Sequence, residues 1–172
     1  MFPLLFISYC NYILGRVDCH LHYLVMRWKI VAVGKPSLGW AKLGVEDYAQ
    51  RVQRLSPIEV IYVKEGTEEQ VTQRMLDASE GSLRVLLDEK GKALRSVDLA
   101  RWLDHRQLDA CKSAAILIGG PSGHHPKVRE AARESWSLSA FTLQHELALV
   151  VLLEQIYRAH SILRGDPYHR EG

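Results

Sequence analysis

Cysteine is scarce in this chain: three in 172 residues, Cys10, Cys19 and Cys111, an odd number, far apart and in none of the spacings that hold zinc. That argues against a disulfide framework and a cysteine-built metal centre, and it points to a reducing, cytoplasmic setting. Charge of one sign is also lacking. Lys and Arg total 22 against 20 Asp and Glu, a net charge of +2, so any basic surface for nucleic acid has to come from clustering. No apolar run is long enough to span a bilayer. Neither a Gly-Lys-Ser/Thr phosphate loop nor a G-x-G-x-x-G fingerprint is present. What remains, 47% hydrophobic and 24% charged residues without repeats, is the composition of a soluble globular chain long enough for one core.

Residues 1–25, MFPLLFISYCNYILGRVDCHLHYLV, stand apart from the rest, apolar and aromatic with one Arg and one Asp. No cationic segment precedes FPLLFI and no small-x-small site follows, so a signal peptide is disfavoured. Met26 opens MRWKIVAVGKP, which reads as a natural first strand. Residues 1–25 are therefore expected to be an extension not needed by the core, or the product of an upstream start, and residues 26–172 a single domain.

From Met26 onward, strands and helices alternate. Strands are expected at Trp28 to Val33, Ile58 to Val63, Leu83 to Leu87 and Ala114 to Ile118, with an extended stretch from Ser137 to Leu143. Helices are expected from Ala41 to Leu55, from Thr67 as cap to Ala78, after Ser96, from Pro126 to Trp136, and from His145 to about Leu163. A polar turn is expected at Asp88-Glu89-Lys90-Gly91. This order predicts an α/β fold with a mainly parallel sheet and helices on both faces. Ligands of such sheets bind beyond the carboxyl ends of the strands, which selects the loops after Leu87, Ile118 and Leu143.

The most informative stretch is ILIGGPSGHH, residues 116–125. Glycines directly after a buried strand let a ligand approach the backbone and free N–H groups for donation, although a plain strand-to-helix turn has the same composition. SWSLSAFTL, residues 135–143, alternates serines with larger residues, as either a second pocket wall or an edge strand with a solvated serine face. His124 and His125 read as surface residues at a helix entry, and His145-Glu146 lacks the second histidine of a metal site. The last helix is apolar around most of its centre, from Leu147 through Tyr157, which calls for burial on more than one side or a subunit interface. Arg158 stands one turn beyond Glu154, an i,i+4 pair of little energetic worth on its own.

Taken together and in order, IVAVGK, LLDEKGK, LIGGPSG, SWSLSAFTL, LLEQIYRAHSI and the terminal PYHRE resemble the ribosomal large subunit methyltransferase H family. These are SPOUT methyltransferases that modify a pseudouridine in 23S ribosomal RNA, and the resemblance runs from Met26 to Gly172. It implies a C-terminal trefoil knot, a homodimer, and methyl transfer from S-adenosylmethionine to N3 of the pseudouridine without a metal or a membrane. Carried over by position, Leu87, Gly119, Gly120 and the run Leu138, Ser139, Ala140, Phe141, Thr142 and Leu143 are the cofactor-binding residues. For the catalytic and RNA-facing roles the candidates are at the C-terminal end: His169 as proton acceptor or hydrogen-bonding group, Tyr168 as a stacking platform for the base, and Arg158 and Arg170 for phosphates.

Two positions depart from the family pattern: Gln144 stands where Pro is common and Leu149 where many members carry Arg. The rival of a different class is a non-catalytic RNA- or nucleotide-binding module on the same fold. A phosphate-handling hydrolase is disfavoured by the missing Lys and acidic metal ligands.

Overall fold

The structure, a computed structural model, describes residues 25–120 and 123–168. Its elements alternate along the chain as β1 (Arg27–Val33), α1 (Gly39–Gln53), β2 (Ile58–Val63), α2 (Glu68–Ala78) and β3 (Leu83–Ala93), then α3 (Ser96–Leu108), β4 (Ser113–Ile118), α4 (Pro126–Ala131), β5 (Glu134–Ser137) and α5 (His145–Arg164). The five strands form one sheet in the order β2-β1-β4-β3-β5, every neighbouring pair parallel. The expected α/β architecture is therefore present, with every strand's carboxyl end at the same edge.

Strand alternation sends Trp28, Ile30 and Ala32 of β1 and Ala114, Ile116 and Ile118 of β4 to one face. There they meet Val45 and Val52 of α1, Leu99 and Leu103 of α3, and Leu149, Leu152, Leu153 and Ile156 of α5. Val31, Val33, Ala115 and Leu117 point the other way, against Met75 of α2 and Val128 of α4. Helices thus cover both faces, which is why β1 and β4 read as unbroken apolar runs.

Local chemistry sets the helix ends. Thr67 caps α2 in a reciprocal box with Gln70, as its position before an acidic first turn predicts. At the end of α5, Gly165 adopts φ +69°. Its N–H reaches Ile162 O while that of Asp166 reaches Ser161 O, a Schellman turn that folds the tail back toward the helix.

Three expectations need correcting. The helix expected from Pro126 to Trp136 ends at Ala131, because Ala132 is already extended (ψ 143°), and Glu134–Ser137 is instead strand β5. Its Trp136 is buried edge-on against Trp102, ring centroids 4.7 Å apart, so tertiary packing overrides a helix-compatible sequence. Second, Asp88 to Gly91 do not end the third strand. β3 runs on to Ala93 through a register shift in which Leu87 and Lys92 both pair with Trp136. A Cβ on Gly91 would lie 2.5 Å from the Trp136 carbonyl carbon, so this close approach requires glycine. Third, the extended run expected from Ser137 to Leu143 is a loop beyond Ser137.

Candidate active site

At the carboxyl edge, the bulged part of β3 and the loops after β4 and β5 surround a cavity of about 600 Å³. Leu87, Gly119, Gly120, Leu138, Ser139, Phe141, Thr142 and Leu143 all line it, so the structure brings together the residues expected to bind the cofactor. Ala140 belongs to the same loop but not to the lining. The opposite wall contains residues that the sequence reading did not assign to the site: Asp88, Lys90, His124 and Arg129, with Gln144, His145 and Ala148 around the start of α5.

The glycine loop is tight. Gly120 and Gly123 pair across a turn closed by Gly123 N–H to Gly120 O at 2.9 Å, with Gly123 at φ +76°. A Cβ on Gly119 would stand 2.7 Å from Gly123 O, so only glycine fits between strand and turn. The second wall is held at several points. Ser137 Oγ donates to Ser139 O (2.8 Å), Phe141 N–H to Ser139 Oγ (2.9 Å), and Thr142 Oγ1 to Glu89 Oε2 (3.0 Å). Phe141 is left 82% exposed at the rim. Gln144, the departure from Pro, caps α5 by accepting from Leu147 N–H at 3.0 Å.

His124 is not the surface residue expected at a helix entry: it is 8% exposed. Its Nε2 lies 3.1 Å from Leu87 O, and since a carbonyl can only accept, Nε2 carries the proton. Nδ1 has no hydrogen-bond partner among the described residues. Burial lowers the pKa of this imidazole below the ordinary value, with Arg129 assisting against Leu87 O and Asp88, so the ring is neutral at pH 7. Beside it, burial would raise the Asp88 carboxyl. The N–H of Lys90 and the guanidinium of Arg129, 2.6 Å away, outweigh burial and hold Asp88 below the usual range. The sequence signal for this carboxylate was local: Asp followed two residues on by a free N–H is an Asx turn. No sequence signal announced the burial of His124, which follows from the fold of the loop.

Glu146, in the first turn of α5, is 3% exposed and reaches across to the start of α1. It accepts from Ser37 Oγ at 2.8 Å and from Leu38 N–H at 3.0 Å; the backbone N–H of Ser37 foremost, then these donors, outweigh burial and hold its carboxyl below the usual range. Leu38 has no capping side chain of its own, so the α1 terminus is capped from 108 residues away.

Tyr168 and Arg158 lie apart from this cavity. Arg158 Nε donates to Glu154 Oε1 (3.0 Å), Tyr168 OH donates to the same oxygen (3.0 Å), and the guanidinium stands 4.8 Å from the Tyr168 ring centroid. Glu154 raises the pKa of Arg158 further. His169 and Arg170 lie outside the described residues. Among the described residues, no helix is long and apolar enough to cross a membrane.

A family model described as a predicted SPOUT methyltransferase matches residues 26–169. The chain belongs to the SPOUT methyltransferase family. Among its SPOUT relatives, the ribosomal RNA large subunit methyltransferase H of Thermus thermophilus is 44% identical over 149 residues, covering 84% of this chain and 99% of that protein. The protein of the same name from Deinococcus deserti is 39% identical over 145 residues, covering 84% of this chain and all of its own length. A probable methyltransferase from Bordetella pertussis superposes with a TM-score of 0.55 at 13% identity, over 81% of this chain and 96% of that one, which shows a shared fold.

Proposed function

We propose that this SPOUT methyltransferase uses S-adenosylmethionine to methylate N3 of a pseudouridine in 23S ribosomal RNA, acting as a cytoplasmic homodimer on rRNA within the ribosome. The observation that carries the reading is the convergence of Leu87, Gly119, Gly120 and the 138–143 loop on one cavity at the carboxyl edge of the sheet. Its volume, about 600 Å³, is that of a small-molecule site. The missing Cβ at Gly119 suits a ligand that approaches the backbone closely. The reading includes a C-terminal trefoil knot and one domain over residues 26–172. The family match starting at residue 26 supports residues 1–25 as a non-essential extension.

S-adenosylmethionine would supply a methyl group activated on a sulfonium. The task left to the chain is alignment, worth up to about 7–11 kcal/mol when the reacting atoms are well oriented, and acceptance of the N3 proton. Gly119, Gly120 and the 138–143 loop hold the donor through backbone groups, His169 takes the proton, and Arg170 neutralises phosphate. Tyr168 and Arg158, expected at the base and a phosphate, are engaged with Glu154 and each other and are assigned to holding the tail.

Glu154 and Arg158 lie six and ten residues past Ala148 of the cavity, roughly 9 to 15 Å along α5. A tail seated there reaches a cavity most readily in a partner protomer. Trp40 and Leu43 on α1 are 51% and 68% exposed, the kind of apolar surface a subunit interface covers.

The test is methylation of ribosomes from cells lacking the corresponding enzyme, using the purified protein, labelled S-adenosylmethionine and mass-spectrometric mapping. One methyl group per large subunit on a pseudouridine is expected. Absence of methylated pseudouridine would sink the reading.

A further inference from the structure

The tail does not leave α5 as a free end. The single hydroxyl proton of Tyr168 is directed to Glu154 Oε1 at 3.0 Å, so the Tyr168 oxygen has only lone pairs to offer Tyr48 OH, 3.3 Å away. The order of donation is thereby fixed: Tyr48 donates to Tyr168, Tyr168 to Glu154, and Arg158 to that same Glu154 oxygen. Glu154 Oε2 is occupied as well, by Gln155 Nε2 at 2.6 Å. Ring contacts follow the same path. Tyr157 meets Tyr168 edge-on at 4.9 Å, and Tyr48 lies 6.4 Å from Tyr157. Glu154 is only 17% exposed, and a carboxylate so placed is stable because three donor groups, the Gln155 amide, the Arg158 guanidinium and the Tyr168 hydroxyl, converge on it from α5 and the segment that follows.

We infer that Glu154 and Tyr48 are positioning residues for methyl transfer, fixing Tyr168 and thereby aiming the residues that follow it at the reacting base. The inference rests on the proposed role of the tail and adds two residues outside the cavity, one on α5 and one on α1. Arg158 belongs to the same device: committed to Glu154 and stacked on Tyr168, it acts through the tail rather than on a phosphate. Because the seat lies apart from the cavity, loosening it lowers turnover without weakening the methyl donor.

The test compares Tyr48→Phe, Glu154→Gln, Tyr168→Phe and the Tyr48→Phe/Tyr168→Phe double variant on ribosomal substrate. Kd for S-adenosylmethionine and the melting temperature are measured alongside. Tyr48→Phe and Glu154→Gln should lower kcat at least tenfold while donor Kd stays within twofold of wild type and KM for ribosomes changes less than kcat. In the Tyr168→Phe background, Tyr48→Phe should have no further effect, since its hydroxyl acts only through that of Tyr168. Unchanged kcat in the single variants, or an additive loss in the double variant, would overturn the inference. A wild-type protein that binds no S-adenosylmethionine would instead overturn the functional reading on which it rests. Tyr48→Phe removes one hydroxyl without opening the core, so it remains informative if Glu154→Gln fails to fold.

Discussion

His160 makes this fold sensitive to acid in a way that can be worked out in advance. It is 6% exposed, and its Nε2 accepts the indole N–H of Trp28 at 3.1 Å, so that nitrogen has no proton and the ring is neutral in the folded state. Burial, assisted by the positive charge of Arg164, lowers its pKa from 6.5 to about 4. In the unfolded chain the ring titrates near 6.5. Because the folded value is the depressed one, the stabilisation is complete above pH 6.5 and is lost as pH falls from there toward 4, where only the unfolded chain takes up the proton. The gap between 6.5 and about 4 corresponds to roughly 3 kcal/mol. At pH 5 about 2 kcal/mol of it is already gone. Urea unfolding followed by circular dichroism at pH 7.5 and 5.0 measures the loss in the wild type and in His160→Gln, which keeps an acceptor for Trp28 but does not titrate. The wild type should lose about 2 kcal/mol more than the variant over this interval. Equal losses in the two proteins would refute the assignment of the acid sensitivity to this ring.

Two further substitutions probe the site and its support. Gly119→Ala places a Cβ 2.7 Å from Gly123 O, so the glycine turn must open; S-adenosylmethionine affinity measured by calorimetry should fall at least tenfold. Glu134 accepts the indole N–H groups of both Trp102 (2.9 Å) and Trp136 (3.0 Å), so Glu134→Ala strands two donors and should lower the unfolding free energy in urea by about 2 kcal/mol or more.

The sequence spoke most clearly where one residue's surroundings are its chain neighbours. Thr67 with Gln70, and the runs of β1 and β4 closed by Gly34 and Gly119, could be read directly, because capping and double-sided burial leave local signatures. Residues 132–136 were misread because nothing local distinguishes ARESW from a helix. Strand β5 exists because Val85–Leu87 offers an open edge and Trp102 a place for Trp136, and both partners come from earlier in the chain. The candidate cavity was legible for its glycines and serine-rich wall; strand-end logic selected the segments after Leu87 and Ile118, but the loop of the third wall begins at Leu138, inside the run expected to be extended. Its opposite wall was not. His124 became a buried donor to Leu87 O and Arg129 the partner of Asp88 only through the turn that carries them back over β3. Positional resemblance carried Arg158 and Tyr168 to the tail but could not show that Glu154 holds both.

Glu146, capping a helix that begins more than a hundred residues earlier, has a consequence for how the chain comes into being. During synthesis, β1 can pair with β2 early, but its other edge stays open until β4 emerges. The start of α1 then waits for Glu146, and the indole of Trp28 waits longer still, for His160. A nascent chain that stops short of the last helix therefore has an open sheet edge, a helix with bare N–H groups and an unsatisfied buried tryptophan. Folding is committed only when the C-terminal helix arrives, so the protein gains its N-terminal half and its tail in a single late event.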